Sequence, residues 1–288
     1  MTATTLEWQA IKQITRLDKP IGTYLLLWPT YWALWVAADG YPNLMLLFIF
    51  SMGVVVMRSA GCVINDFADR KVDGQVKRTQ HRPLVSGAIT EQQAIMLFGA
   101  LIGSALALVV NLSWLTIQYS IVALLLASVY PFMKRYTHLP QVVLGAAFSW
   151  GMIMGFAEIQ GRVPTIAWLL FAANLLWTVA YDTMYAMVDR DDDLKIGVKS
   201  TAILFGKHDI RIIRFLQVMV LAILFTVGDM LAFGWPYQLC LVIAAALFTY
   251  QQILIKDRNR EKCFHAFLNN HYVGLVVFLG IFIEYWAV

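Results

Sequence analysis

The segment GCVINDFADRKVDG, residues 61–74, places three aspartates and an asparagine directly after a long apolar run. A second acidic segment, YDTMYAMVDRDDD at residues 181–193, follows another apolar run in the same way. Of the 288 residues, 60% are hydrophobic and only 14% are charged, whereas soluble domains carry about 25% charged residues. This composition excludes an ordinary soluble domain and predicts an all-α protein that crosses a membrane several times.

Apolar blocks long enough to cross about 30 Å of hydrocarbon recur along the whole chain. Short polar breaks such as ADGYPN and NLS suit tight hairpins between antiparallel helices. The pattern predicts nine transmembrane helices in a single domain that covers residues 1–288. The predicted spans are residues 21–38, 43–64, 92–110, 113–131, 140–157, 164–187, 211–229, 234–254 and 266–287.

The basic residues are distributed unevenly over the predicted loops. Twenty of the 22 Lys and Arg residues fall in the N-terminal segment and in or beside the even-numbered loops. By the positive-inside rule these parts are cytoplasmic, and the C-terminus is periplasmic. The net charge of +4 then describes loops that face anionic membrane lipid, and it does not indicate nucleic acid as a partner. The three cysteines lie far apart without a CxxC pair, which is typical of small apolar residues in or near spans.

The first acidic segment aligns its polar side chains along one side of a predicted helix. At about 100° per residue, Asp66, Asp69 and Asp73 fall within about 60° of each other, and Asn65 lies about 40° further round. Carboxylates this close repel each other and are costly beside a bilayer unless something compensates them. One compensator is Mg²⁺, which takes one or two carboxylates together with substrate phosphates. The alternative is pairing with neighbouring basic side chains such as Arg70.

The second acidic segment repeats this arrangement. Asp182, Asp189 and Asp193 fall within about 40° of each other on a helix. Corresponding aspartates of the two segments are 120 residues apart in two cases, which indicates two related halves with motifs at 65–73 and 182–193. Two acidic arms that face each other and hold Mg²⁺ would form a clamp for a diphosphate.

Basic and aromatic side chains near the arms suit phosphate oxygens. Arg58 lies well inside the second predicted span, where an arginine is expensive and is expected to face a polar cavity. In the segment YPFMKRYTHLP, Tyr130 and Lys134 are one helical turn apart and Arg135 follows, while Pro131 is expected to break or distort the helix. The alternative for these residues is the usual basic and aromatic edge of a membrane protein. The other basic candidates are Lys77 and Arg78, with Arg82, after the first arm and Lys199, with Lys195, after the second.

Three motifs in this order resemble those of the UbiA superfamily of intramembrane prenyltransferases. NDFADRKVD is similar to the family's NDxxDxxxD motif, DRDDD at 189–193 fits its DxxxD motif, and YPFMK fits its YxxxK motif. The resemblance covers essentially the whole chain and includes the nine-span layout. Stretches such as DKPIGTYLLLWPTYWALW are similar to the bacterial branch of the family that acts on 4-hydroxybenzoate.

The resemblance implies a reaction. A polyprenyl group would pass from polyprenyl diphosphate to the ring carbon ortho to the hydroxyl of 4-hydroxybenzoate, with release of diphosphate, in ubiquinone biosynthesis. Mg²⁺ is the implied cofactor and the bacterial inner membrane the implied location. No redox cofactor is needed, and no obligate protein partner is evident.

The resemblance also implies roles for individual residues. The catalytic acids would be Asp69, Asp73, Asp189 and Asp193. The Mg²⁺ ligands would be these four together with Asn65 and Asp66. The substrates would be bound by Asn65, Tyr130 and the basic residues Arg58, Lys77, Arg78, Lys134, Arg135 and Lys199. Of these, Arg135 or Arg58 is the candidate for the carboxylate of the aromatic acceptor, because a guanidinium can bind a carboxylate with two hydrogen bonds.

Other functions remain open at this point. The same chemistry could act on a naphthoate, a porphyrin or homogentisate. A cation-coupled secondary transporter would place its ionisable residues near the bilayer midplane, whereas these acids lie at the ends of predicted spans. A CDP-alcohol phosphotransferase would carry a DGxxAR motif, which the sequence lacks.

Overall fold

The structure, a computed structural model, describes residues 8–71, 73–75 and 79–286. The described residues are helical throughout and form no strand, which confirms the all-α prediction. Short 3₁₀ turns cover Asp73–Gln75 and Gly206–His208. The α-helices are α1 (Trp8–Ile14), α2 (Ile21–Ala37), α3 (Leu44–Asp69), α4 (Pro83–Ser86), α5 (Glu91–Val109), α6 (Trp114–Tyr136), α7 (Pro140–Gln160), α8 (Thr165–Ile196), α9 (Thr201–Phe205), α10 (Asp209–Met230), α11 (Trp235–Ile255) and α12 (Arg260–Trp286).

Helices that could cross a membrane occur along most of the chain. Within the described residues, eight helical stretches are long and apolar enough to cross a membrane: α3, α5, α6, α7, α8, α9 together with α10, α11 and α12. The chain is therefore a polytopic membrane protein. The first predicted span corresponds to α2, which at 17 residues is shorter than all eight.

Two expectations about the helices were wrong. Asp73 does not continue α3, because that helix ends at Asp69 and the chain re-forms a separate 3₁₀ turn at Asp73. Pro131 does not break α6, which continues to Tyr136. A membrane helix tolerates proline where neighbouring groups satisfy the backbone carbonyl that the proline leaves unpaired.

Two stacked tryptophans join α2, α8 and α12 at the centre of the bundle. The rings of Trp32 and Trp177 lie 5.6 Å apart. Trp177 donates to the side chain of Asn270 at 2.8 Å, and Trp32 donates to the carbonyl of Gly274 at 2.9 Å. A Cβ on Gly274 would lie 2.8 Å from Trp177 and 2.9 Å from Trp28. The missing side chain therefore permits the close approach of α12, as small residues do between membrane helices.

The helices that carry the three motifs all end on the same side of the bundle. We call this side, where α3, α6 and α8 reach their C-termini and α1, α4 and α9 cover them, the motif end. On the opposite side the Glu284 carboxylate accepts hydrogen bonds from the backbone N–H groups of Gly234 and Tyr237, at 3.0 and 2.9 Å. It thereby caps the N-terminus of α11, where the helix dipole favours negative charge.

Candidate active site

A polar pocket of about 150 Å³ lies at the motif end, between the last turns of α3, α6 and α8. Two acidic segments that are far apart in the sequence therefore meet in one place. Most of the residues that the sequence analysis selected line this pocket. They are Asn65, Asp69, Asp73, Tyr130, Lys134, Asp189, Asp193 and Lys199.

Asp69 occupies the centre of the first arm. Its side chain is 2% exposed, and the Lys134 ammonium group forms an ion pair with Oδ2. The other oxygen, Oδ1, is buried and has no hydrogen-bond partner among the described residues. A buried carboxylate oxygen without a donor is costly, so this atom is suited to a cation that enters the pocket with a ligand.

Lys134, near the end of α6, and Lys199, after the end of α8, both line the pocket. The backbone N–H of Lys199 donates to the carbonyl of Lys134 at 3.1 Å, which ties the turn after α8 to the end of α6. The Lys199 ammonium group donates to the carbonyl of Tyr136 at 3.2 Å. Lys134 and Lys199 thus place two positive charges beside the acidic arms. Lys77 and Arg78, the other predicted basic residues, lie outside the described residues.

Asp73 completes the first arm from its separate turn. Arg82 donates to Oδ2 at 2.7 Å, and the Thr79 hydroxyl donates to the Asp73 carbonyl at 2.8 Å. Burial raises the pKa of the Asp73 carboxyl above its ordinary value, Arg82 opposes this, and the carboxylates of Asp69 and Asp66 add to it. The first arm is therefore crowded with negative charge that a bound cation would relieve.

Asp66 is held by two guanidinium groups. Both Asp66 oxygens accept from Arg16 at 3.0 Å, and Oδ1 lies 2.9 Å from Arg82. Asp66 lines a neighbouring larger cavity and is not part of the small pocket. Its role as an Mg²⁺ ligand stays a prediction. Sequence reasoning named Arg82 as a basic residue after the first arm but did not pair it with Asp66, and it did not assign Arg16 to the site, because no local spacing connects either residue with Asp66.

The second arm lies on one continuous helix, α8. Asp189 and Asp193 line the pocket, while the acids between them are paired on another side. Arg260 donates to Asp191 at 2.9 Å and to Asp192 at 3.2 Å. These outward pairs lie on a different side of α8 from Asp189 and Asp193, which line the pocket.

A fully buried aspartate anchors the same end of α8. Asp209 is 0% exposed, and Arg258 binds it through two nitrogens, the closest at 2.7 Å from Oδ1. Arg190 approaches the same carboxylate at 3.4 Å. Asp209 therefore connects the second arm with α10 and with the turn before α12. Nothing in the motif spacing predicts this contact.

A larger cavity of about 1010 Å³ adjoins the pocket and shares Asn65 and Tyr130 with it. Its lining along α3 reaches from Asn65 to Ile49, which is about 24 Å at 1.5 Å per residue. Away from the motif end the lining is mostly apolar, with side chains such as Phe50, Val54, Leu108, Leu112 and Met154. The cavity therefore suits a long apolar chain whose polar head lies in the pocket.

Arg58 lies on the wall of this cavity, below the pocket. Its Nη1 donates to the sulfur of Cys62 at 2.8 Å, and its Nε is buried without a hydrogen-bond partner. No carboxylate of the described residues forms an ion pair with it. The other candidate, Arg135, is exposed, donates to the Ala68 carbonyl at 2.5 Å and lines neither cavity.

The residues present fit Mg²⁺ held together with a diphosphate. Within the part of the chain that the structure describes, no three His, Cys, Asp or Glu side chains are grouped to hold a metal ion alone. Mg²⁺ does not need such a cage, because it commonly takes one or two carboxylates and completes its shell with substrate phosphates and water. The buried Oδ1 of Asp69, which has no hydrogen-bond partner among the described residues, is suited to such a role.

Comparison with known proteins agrees with these observations. Residues 26–279 match the model of the UbiA prenyltransferase family. A protein of Colwellia psychrerythraea named 4-hydroxybenzoate octaprenyltransferase is 71% identical over 97% of both chains. A protein of Citrobacter koseri with the same name is 60% identical over 96% of both chains.

Solved structures share the fold at low sequence identity. A UbiA homologue from Aeropyrum pernix superposes with a TM-score of 0.80 at 23% identity, over 91% of this chain and 97% of that one. A UbiA homologue from Archaeoglobus fulgidus bound to GPP and Mg²⁺ gives 0.75 at 17% identity, over 97% and 100%. The extent of the family match and the identity to its bacterial members establish that this chain belongs to the UbiA prenyltransferase family.

Proposed function

We propose that this protein transfers a polyprenyl group from polyprenyl diphosphate to the ring carbon of 4-hydroxybenzoate ortho to the hydroxyl, a step of ubiquinone biosynthesis. The observation that carries the proposal is the meeting of both acidic arms in one pocket at the head of a long apolar cavity. The name of the relatives that are 60–71% identical supports the choice of acceptor.

The acidic arms would hold the diphosphate through Mg²⁺. Its ligands would come from Asp69, Asp73, Asp189 and Asp193, with Asn65 beside them. Mg²⁺ would neutralise the charge that develops on the diphosphate as the bond between C1 and oxygen breaks. The structure of the Archaeoglobus fulgidus homologue with GPP and Mg²⁺ supports this arrangement.

The basic side chains would stabilise the leaving group. The ammonium groups of Lys134 and Lys199 lie beside the arms, where they would bind diphosphate oxygens as its charge grows. The allylic carbon so activated forms a bond to the electron-rich ring carbon, and the ring proton leaves to restore aromaticity. Closure of the apolar cavity around the prenyl chain would keep water from the allylic carbon.

Arg58 would orient the acceptor. It lies two turns before Asn65 on α3, about 10 Å along the helix axis, so a ring bound at Arg58 would extend toward the pocket. A guanidinium on the wall of a mostly apolar cavity, with a buried Nε that has no partner among the described residues, favours an anionic ligand. The carboxylate of 4-hydroxybenzoate would provide this partner and place the phenol end near the diphosphate.

We further propose nine membrane spans, with α2 as the ninth, in a bacterial inner membrane. At 1.5 Å per residue its 17 residues extend about 25 Å, close to the hydrocarbon thickness of about 30 Å. The motif end and the N-terminus would be cytoplasmic and the C-terminus periplasmic, as the basic loops favour.

Alkaline phosphatase, which is active only outside the cytoplasm, tests this orientation. Fusions after residues 161 and 288 are expected to be active, and fusions after residues 138 and 208 inactive. Inactivity of the fusion after residue 288 alone would mean that one of the spans α10, α11 and α12 is missing. A fusion after residue 40 is expected to be active, and its inactivity would mean that α2 does not cross the membrane.

The reaction itself is tested with purified protein in lipid, a polyprenyl diphosphate, radiolabelled 4-hydroxybenzoate and Mg²⁺. A prenylated product is expected, and EDTA is expected to abolish it until excess Mg²⁺ is restored. Naphthoate, porphyrin and homogentisate acceptors serve as controls. Product that forms equally well after chelation would refute the role of the metal, and product only with another acceptor would refute the substrate.

The clamp predicts that Asp69→Asn and Asp189→Asn each lower the turnover rate by about 100-fold or more, because each removes a negative ligand of the metal–diphosphate group. Asp191→Asn is the matched control, since Asp191 is exposed and pairs with Arg260 on another side of α8. Single-turnover rates and unfolding temperatures of all three variants are to be compared. Equal rates in the three variants would exclude the clamp.

Arg58→Gln is expected to raise the KM for 4-hydroxybenzoate by about 10- to 100-fold, because a charge-assisted hydrogen bond contributes about 1.5–3 kcal/mol. The KM for polyprenyl diphosphate should change little. The KM for the uncharged methyl ester of 4-hydroxybenzoate should rise little on this substitution, because the ester has no carboxylate for Arg58 to bind. Arg135→Gln is the control, and a rise in KM for that variant alone would transfer the acceptor role to Arg135.

A further inference from the structure

Gly22, the second residue of α2, lies directly against the guanidinium group of Arg58. A Cβ at this position would lie 2.3 Å from Nε, 2.5 Å from Nη2 and 2.8 Å from Cζ of Arg58. Such distances are far below a van der Waals contact between these atoms. Any residue larger than glycine would therefore displace the guanidinium group from its place on the cavity wall.

The backbone itself does not require glycine at this position. Gly22 lies in the first turn of α2 and does not have a positive φ. Alanine is the better helix former and could adopt the same backbone conformation. The space that Gly22 leaves for the Arg58 side chain is a physical reason for a glycine at position 22.

Little else fixes the Arg58 side chain. Its one hydrogen bond to a described side chain goes to the sulfur of Cys62, a weak acceptor, and Nε has no partner. The backbone of α2 at Gly22 is thus a wall against which the guanidinium plane rests. Both residues line the large cavity.

We propose that Gly22 is a positioning residue of the acceptor site. By lacking a side chain, it lets the Arg58 guanidinium lie close to α2 on the wall of the large cavity. The specificity for an acceptor with a carboxylate then depends on a residue of α2 that acts through Arg58. This inference rests on the proposed role of Arg58.

The chain offers a matched control for the added methyl group. A Cβ at Gly103, in α5, would meet nothing within 4 Å, and Gly103 does not line the cavity. At Gly22 the added atom meets only the far end of a flexible side chain. Gly22→Ala should therefore fold, with Arg58 moved and the rest of the bundle retained.

The experiment measures equilibrium binding of radiolabelled 4-hydroxybenzoate to the protein in lipid nanodiscs, together with steady-state kinetics. Gly22→Ala is expected to weaken acceptor binding by about tenfold, or 1.4 kcal/mol. It should raise the acceptor KM to a similar extent and leave kcat and the KM for polyprenyl diphosphate nearly unchanged. Gly103→Ala should bind like the unmodified protein.

A double-mutant cycle separates this inference from the proposed function. If Gly22 acts through Arg58, adding Gly22→Ala to Arg58→Ala should weaken acceptor binding no further. Unchanged binding in Gly22→Ala, or an equal loss in both backgrounds, would overturn the inference while the role of Arg58 stands. Unchanged binding in Arg58→Ala would refute the role of Arg58 and the inference with it.

A lysine at position 58 provides a second test, which separates loss of the contact with Arg58 from a general destabilisation by Gly22→Ala. The narrower ammonium group of Arg58→Lys leaves room for a methyl group at residue 22. Binding of 4-hydroxybenzoate to Arg58→Lys should therefore be insensitive to adding Gly22→Ala. A tenfold loss in this background also would contradict the proposed contact.

Discussion

The ion pair between Asp69 and Lys134 is the interaction on which the motif end depends. It brings a carboxylate from the end of α3 to an ammonium group from the end of α6, although 65 residues separate them in the chain. A buried carboxylate in this position would otherwise be very costly. The backbone of the same lysine then receives the N–H of Lys199. One basic residue thus links three chain segments and leaves one oxygen of Asp69 available.

Periodicity and motif spacing predicted the parts of this arrangement that are local. The nine apolar blocks correspond to α2, α3, α5, α6, α7, α8, α10, α11 and α12. The alignment of Asp189 with Asp193 on one side of a helix was correct, because both lie on the regular helix α8. Apolar run length and helical period depend only on neighbouring residues, so sequence alone is sufficient for them.

The remaining features depend on contacts between distant segments. The position of Asp73 is set by Arg82 and by the turn that ends α3, so a helical projection could not give it. The pairs of Arg16 with Asp66 and of Arg258 with Asp209 join residues that are about 50 positions apart. Pro131 lies inside α6, which continues to Tyr136, and membrane helices tolerate an internal proline. Such effects leave no periodic pattern in the chain.

The outward pairs of the second arm have a consequence for how the protein is made. Arg16 and Arg82, which pair with aspartates of the first arm, are synthesised before it or shortly after it. The acids between Asp189 and Asp193 find their partner Arg260 only some 70 residues later, at the start of the final helix. A nascent chain that has inserted α8 already contains Arg16 and Arg82, the partners of the first arm. It does not yet contain Arg260, the partner of Asp191 and Asp192. The ion pairs of the two arms therefore cannot all form at the same stage of synthesis, because those of Arg260 require the final helix.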